Sequence, residues 1–178
     1  SVAISYTNND YGKGLAESIK AAVEAAGGTV TIVAAHEDGK ADYSAEVGAL
    51  ASAGGDALIV AGYVDQGGAG IIQGALDSGA FSTFMLPDGM YGTVLEEKFG
   101  ASLNGSFGTV PGTDSPGGAT FVEMATAAGF DGTSSYAPES YDAAALIMLA
   151  MQAAGSSKSA DLAAKVMDVA NAPGEKIY

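Results

Sequence analysis

Short apolar runs alternate with longer stretches of three- and four-residue apolar spacing from the first residue onward. Val2–Tyr6 reads as a strand, and the polar Thr7-Asn8-Asn9-Asp10 after it reads as a loop. Leu15, Ile19, Ala22, Val23 and Ala26 then share one helical face, and Gly27-Gly28 ends that helix. Val30–Ala35 predicts a second strand. Ser44 is placed as the cap of a helix carrying Val47, Leu50 and Ala51, closed by Gly54-Gly55. Ala57–Ala61 is a third strand, apolar throughout, and a helix over 66–78 buries Ile71, Ile72 and Leu76. Thr83–Leu86, a short helix over 93–99, and Ser106–Val110 complete a fourth and fifth strand with their connection.

Strands without polar alternation, joined by helices, predict a parallel sheet covered on both faces. With right-handed crossovers this is an α/β protein, a three-layer doubly wound parallel sheet, followed by additional helices. The rhythm changes after Val110. Pro111–Gly118 is a Pro/Gly-rich connector, and three helices follow, over 119–128, 138–154 and 159–170. The middle one is apolar almost all round between Ala143 and Met151, a pattern that requires cover on more than one side. Residues 1–110 are therefore expected to form one α/β lobe, and 111–178 a connector with helices that belong to another. Charge does not separate the two parts, at −9 and −5.

Composition narrows the function. The 178 residues carry 21 Asp and Glu against 7 basic residues, all lysine, for a net charge of −14. Such a chain repels nucleic acid and anionic membrane, whose affinity rests on phosphate neutralisation. Without Arg there is no bidentate fork for a phosphate or carboxylate, and without Cys there is no thiolate nucleophile or zinc-thiolate site. No stretch reaches about 18 consecutive apolar residues, the length that spans a bilayer. The chain opens directly on a strand with no signal peptide in view, which fits a cytoplasmic protein or a processed or trimmed one.

In an open parallel sheet, ligands sit at the carboxyl ends of the strands. That rule selects Thr7–Tyr11 after strand one, His36-Glu37-Asp38 after strand two, Tyr63-Val64-Asp65 after strand three, and Pro87–Tyr91 after strand four. The resulting rim is carboxylate and tyrosine, which suits a cationic or amine-bearing small molecule. Each position also has a purely structural reading. Asp88 is equally a cap for the following helix, Tyr63 and Tyr11 are equally packing residues, and Asn8 and Asn9 are turn formers. His36 with Glu37, Asp38 and Asp42 matches no metal loop and reads as a solvated acidic segment, so no metal and no cofactor is expected. Gly12-Lys13-Gly14-Leu15-Ala16-Glu17 is set against a dinucleotide fingerprint and fails it. Glu17 would face the pyrophosphate, and the loop before Gly12 is too long for the tight turn.

Asn9-Asp10-Tyr11-Gly12-Lys13-Gly14-Leu15, Asp42-Tyr43-Ser44, Gly62-Tyr63, Pro87-Asp88-Gly89 and the aromatic Ser135–Ala143 segment leading into a long helix occur in one order. In that order and spacing the chain resembles the C-terminal lobe of type I periplasmic solute-binding proteins, in particular the leucine/isoleucine/valine-binding proteins of ABC transporters. The resemblance implies two α/β lobes closing on an amino acid or related amine, with no chemistry performed. It implies ligand contacts from Tyr11, Tyr63 and Asp88, the last holding the α-ammonium group. Asp88 stands where the amino-acid binders often carry Glu, one methylene longer. A permease partner and a periplasmic location are further implications. So is a signal peptide and most of a first lobe preceding Ser1, with chain continuing past Tyr178. A fragment of this kind is expected to bind weakly and to self-associate through the Ala143–Met151 helix. Two rival readings share the sequence pattern: a ligand-sensing domain of a receptor or regulator, and a small flavodoxin-like nucleotide-using enzyme.

Overall fold

The computed structural model describes residues 1–112, 115–171 and 173–174; Thr113 and Asp114 of the connector lie outside the described residues. The chain divides into two compact units, Ser1–Val110 and Pro111–Tyr178. The first unit holds a five-stranded, wholly parallel sheet: β1 (Val2–Thr7), β2 (Val30–His36), β3 (Ala57–Ala61), β4 (Phe84–Leu86) and β5 (Phe107–Gly108), in the spatial order β2-β1-β3-β4-β5. Helices α1 (Asp10–Ala25), α2 (Ser44–Ala53), α3 (Ala69–Asp77) and α4 (Thr93–Phe99) connect them.

Chain direction across the sheet reverses once, between β1 and β3. Right-handed crossovers therefore put α1 on one face and α2, α3 and α4 on the other. The buried side chains sort the same way. Ala3, Leu58 and Val60 pack with Val47, Leu50, Ile71, Ile72, Leu95 and Phe99, whereas Ile4, Ile59 and Ala61 pack with Ala16, Leu15 and Ile19. Alternate residues of β1 and β3 thus point to opposite apolar layers, and the three-layer doubly wound architecture expected from the sequence is the one observed.

The central strand β3 is buried at every position, but the edge strand β2 is only half-buried on one face and exposed on the other. Several boundaries differ from the sequence reading. The predicted 66–78 helix is a five-residue turn, Val64–Gly68, followed by α3, because Gly67 at φ +93° breaks the helical path. Ser44 is the first residue of α2 and not its cap; the Asp42 carboxylate accepts the Ser44 backbone N–H at 2.9 Å. β5 shrinks to two residues paired with Met85 and Leu86.

The second unit contains α5 (Pro116–Ala127), α6 (Ala137–Ala154) and α7 (Ser159–Ala170). α5 starts three residues before the expected Ala119, since a proline in the first turn sacrifices no hydrogen bond. Phe121 of α5 meets Tyr141 of α6 with ring centroids 5.3 Å apart, and Ala150 is fully buried. Ile147, Met148 and Leu149 on α6 remain exposed.

Candidate functional site

The reversal of direction between β1 and β3 makes the loops after these two strands leave on opposite faces, which opens a crevice at their carboxyl ends. Tyr11 stands at the start of α1, where the Asn9 side chain caps the helix by accepting the Gly12 N–H at 2.8 Å. Tyr63 follows β3 and opens the Val64–Gly68 turn. Asp88 follows β4 and begins the short 3-10 turn Asp88–Met90.

These three side chains, each brought in by a different strand, meet. The Tyr11 hydroxyl donates to Asp88 Oδ1 at 2.9 Å, and the Tyr11 and Tyr63 rings lie 4.9 Å apart, tilted by 34°. All three are half-buried. Withdrawal of the Tyr11 phenol from water, then its hydrogen bond to Asp88 and the charge of that carboxylate, hold the phenol well above its ordinary range. At neutral pH Tyr11 is therefore a neutral donor. The site offers one carboxylate and two aromatic faces, a combination that attracts a cation by direct charge and by the ring quadrupole.

A layer of buried polar groups lies beneath the cluster. The sequence reading places His36 in a solvated acidic segment, but the side chain is wholly buried. Its ring turns inward from the end of β2 because Thr7, its register partner, and Ser5 present hydroxyls to it. Nδ1 is 2.8 Å from Ser5 Oγ and Nε2 is 3.1 Å from Thr7 Oγ1. Burial pushes the imidazole down to about 4, against the opposing pull of Glu46 and Glu37. Thr7 Oγ1 also donates to the Gln66 carbonyl at 3.3 Å and accepts the Tyr63 N–H at 3.4 Å. Asn9 Nδ2 donates to Gln66 Oε1 at 3.2 Å. The strand-end rule selects Thr7, but neither Ser5 nor Gln66 is singled out from the sequence. The available signal was that Ser5 and Thr7 alternate with Ala3, so two hydroxyls fall on a buried strand face and must find partners there.

Asn8 and Asn9 do serve the turn: Asn9 caps α1, and the Asn8 side chain reaches Glu37 Oε1 at 2.6 Å. Among the described residues no group of His, Asp and Glu could hold a metal ion, and no helix is long and apolar enough to cross a membrane. A cavity of about 500 Å³ lies beside β4 and β5, walled by Pro87, Met90, Tyr91, Phe107 and Val110 among others. It adjoins the flanks of Asp88 but does not include the tyrosine pair.

Fold and rim together define a class, the doubly wound α/β lobes whose polar side chains gather at the carboxyl ends of the strands. Within that class the chain belongs to the periplasmic binding protein family, whose sequence profile matches residues 1–173. It is 28% identical over 165 residues to the Leu/Ile/Val-binding protein homolog 1 of Brucella suis, and equally to that of Brucella melitensis. The match takes in 91% of this chain and 44% of those proteins, so the chain spans less than half the length of the curated relatives it matches. A leucine-binding protein from Thermotoga maritima superimposes with a TM-score of 0.77 at 25% identity, over 93% of this chain and 48% of that one. A type 1 periplasmic binding protein from Bordetella pertussis gives 0.78 at 21% identity, over 93% and 49%, a likeness of fold. These relatives are binding proteins by name and not enzymes.

Proposed function

We propose that this chain is part of a solute-binding protein of an ABC importer, and that Tyr11, Tyr63 and Asp88 contribute one wall of a cleft that receives an amino acid or a related amine. In this reading residues 1–110 are the C-terminal lobe and 111–178 help to complete the other lobe; the whole protein is periplasmic and delivers its ligand to a membrane permease without chemical change. The observation that carries the reading is the meeting of two tyrosines and a carboxylate from three separate strand ends, with Tyr11 already donating to Asp88. Names of relatives that specify leucine, isoleucine and valine favour an aliphatic amino acid.

Asp88 accepts the ammonium in a charge-assisted bond while Tyr11 keeps the carboxylate oriented. Tyr63 adds its ring face. Because an aspartate reaches one methylene less far than a glutamate, the ammonium sits close to the strand end or meets the carboxylate through a water. Calorimetric titration of the full-length protein with a panel of amino acids and amides tests this. Asp88→Asn is expected to weaken the best amine ligand by roughly 2–5 kcal/mol if the pair is buried in the closed cleft. Unchanged affinity removes Asp88 from the site.

A further inference from the structure

The buried layer under the rim has a hydrogen-bond direction that can be read atom by atom. The Thr7 hydroxyl has one proton, and that proton goes to the Gln66 carbonyl. Thr7 Oγ1 therefore acts as acceptor toward both remaining neighbours, the Tyr63 N–H and the His36 ring. A ring nitrogen facing an acceptor must carry hydrogen, so His36 is the Nε2–H tautomer. Its Nδ1 is then bare and accepts from the Ser5 hydroxyl at 2.8 Å. This arrangement pairs every group from Ser5 to Gln66, whereas the reverse one, with Nδ1–H toward Ser5 and the Thr7 proton on Nε2, takes the Thr7 hydroxyl proton away from the Gln66 carbonyl.

The turn at the end of this relay closes on itself through the Gln66 and Gly68 N–H groups, which donate to the Tyr63 carbonyl at 3.2 and 3.1 Å, and is tied to α1 by Asn9 Nδ2 on Gln66 Oε1; its tie to β1 is Thr7. Residues Val64–Gly68 do not follow a regular helix; Gln66 lies at φ −104°, ψ 47° and Gly67 at φ +93°. A Cβ at Gly67 would come within 2.8 Å of the His36 ring and 2.7 Å of the Tyr43 hydroxyl, so the turn is seated directly on the histidine. Tyr63 opens the turn, and its backbone N–H is one of the groups fixed by Thr7.

Resting on the reading of the cleft given above, we propose that His36 is a positioning residue for the binding wall. As the neutral Nε2–H tautomer it holds the Thr7 hydroxyl that anchors the Tyr63–Gly68 turn, and so sets where Tyr63 stands beside Tyr11 and Asp88. The groups facing the ring are Ser5 and Thr7 from β1, the Gln66 carbonyl from the turn, Tyr43 ahead of α2, and the charges of Glu37 and of Glu46 on α2. Glu46 is paired with Lys40, so the ring meets no unbalanced cation.

The tautomer and exchange measurements use the 178-residue chain, in which His36 is the sole histidine, and affinities are measured on the full-length protein. Long-range proton–nitrogen NMR at neutral pH is expected to show the Nε2–H tautomer. In His36→Leu the exchange of the Tyr63 amide is expected to rise about tenfold while that of Ile59 in β3 stays protected, and affinity for L-leucine to fall about tenfold. His36→Gln, which keeps a donor for Thr7, is expected to recover most of both losses. A purely structural role would loosen Tyr63 and Ile59 together and would not be rescued. The Nδ1–H tautomer in the wild type, or unchanged Tyr63 exchange in a folded His36→Leu, overturns the proposal. If the wild type binds neither L-leucine nor any other amino acid, the ligand reading falls, while the tautomer and the exchange rates still decide whether His36 anchors the turn.

Discussion

Acid should weaken this fold through one side chain before any carboxylate contributes. His36 ionises near 6.5 in the unfolded chain and near 4 in the folded one, because its buried site excludes the charged form. Between those values the unfolded state binds a proton that the native state refuses, so stability rises with pH across the interval and is lost on acidification. At about 1.4 kcal/mol for each pH unit, the full loss is about 3 kcal/mol, and about 2 kcal/mol of it falls between pH 7 and pH 5. The carboxylates held below their ordinary range, Asp42, Glu46, Asp56 and Asp131, act with the opposite shift. Their stabilisation is complete above their unfolded values and disappears only on further acidification toward pH 4 and below. The interval from pH 7 to 5 therefore belongs to His36. Urea unfolding, followed by the NMR signals of Ile59 and Val60, should show wild-type stability falling by about 2 kcal/mol over this interval. His36→Gln, which has nothing left to titrate there, should be nearly flat. Equal losses in the two proteins would refute the argument that the histidine is buried neutral.

Three other outcomes follow from the geometry. Spectrophotometric titration of the tyrosines should find one phenol that resists ionisation well past the others, and Tyr11→Phe should remove it; an unchanged titration curve would mean that Tyr11 is neither desolvated nor bonded to Asp88. Gly62→Ala would drive a methyl group into the Thr7 hydroxyl, and overpacking of this kind should cost about 1–3 kcal/mol in urea unfolding, with the Tyr63 amide signal shifted. Leu50→Ala, at a fully buried α2 position against the sheet, should cost about 2–5 kcal/mol without altering ligand affinity.

The sheet and its helices were legible because each strand is a short apolar run and each helix is bounded by glycine. Burial at β3 is complete on both faces, so the run Ala57–Ala61 carried its own assignment. The three rim residues were legible for a topological reason: strand ends can be located from sequence, and parallel crossovers dictate that ligands meet strand ends. The turn after Tyr63 was not legible. Val64–Gly68 looks like the start of a helix until Gly67 takes a left-handed φ, and that conformation is stabilised by groups more than twenty residues away. His36 was misread for a similar reason. Its neighbours in sequence are Glu37 and Asp38, which suggest a solvated loop, but its neighbours in space are the hydroxyls of β1. A last strand residue turns inward or outward by pleat parity, and the parity of β2 is masked at its start by a register shift opposite Val2 and Ala3.

The apolar and polar parts of the lobe are stacked along the strands, and this ordering explains how an open rim is held. At the Ala3–Leu58 and Ile4–Ile59 levels the backbones pair in the sheet and the side chains contribute only apolar burial. One level higher Ser5 replaces an apolar residue, and two residues beyond it Thr7 stands opposite His36. Burying three polar side chains costs free energy unless each finds a partner, and here each does. Filling these positions with apolar side chains would keep the sheet but leave the Tyr63 N–H and the Gln66 carbonyl without the Thr7 hydroxyl. The polar layer is thus the means by which a rigid, non-directional core passes orientation to the loops. The −14 charge of the chain plays no part in that transfer, since the relay is neutral. In the proposed cleft electrostatic recognition falls to Asp88, which accepts the uncharged hydroxyl of Tyr11 at 2.9 Å.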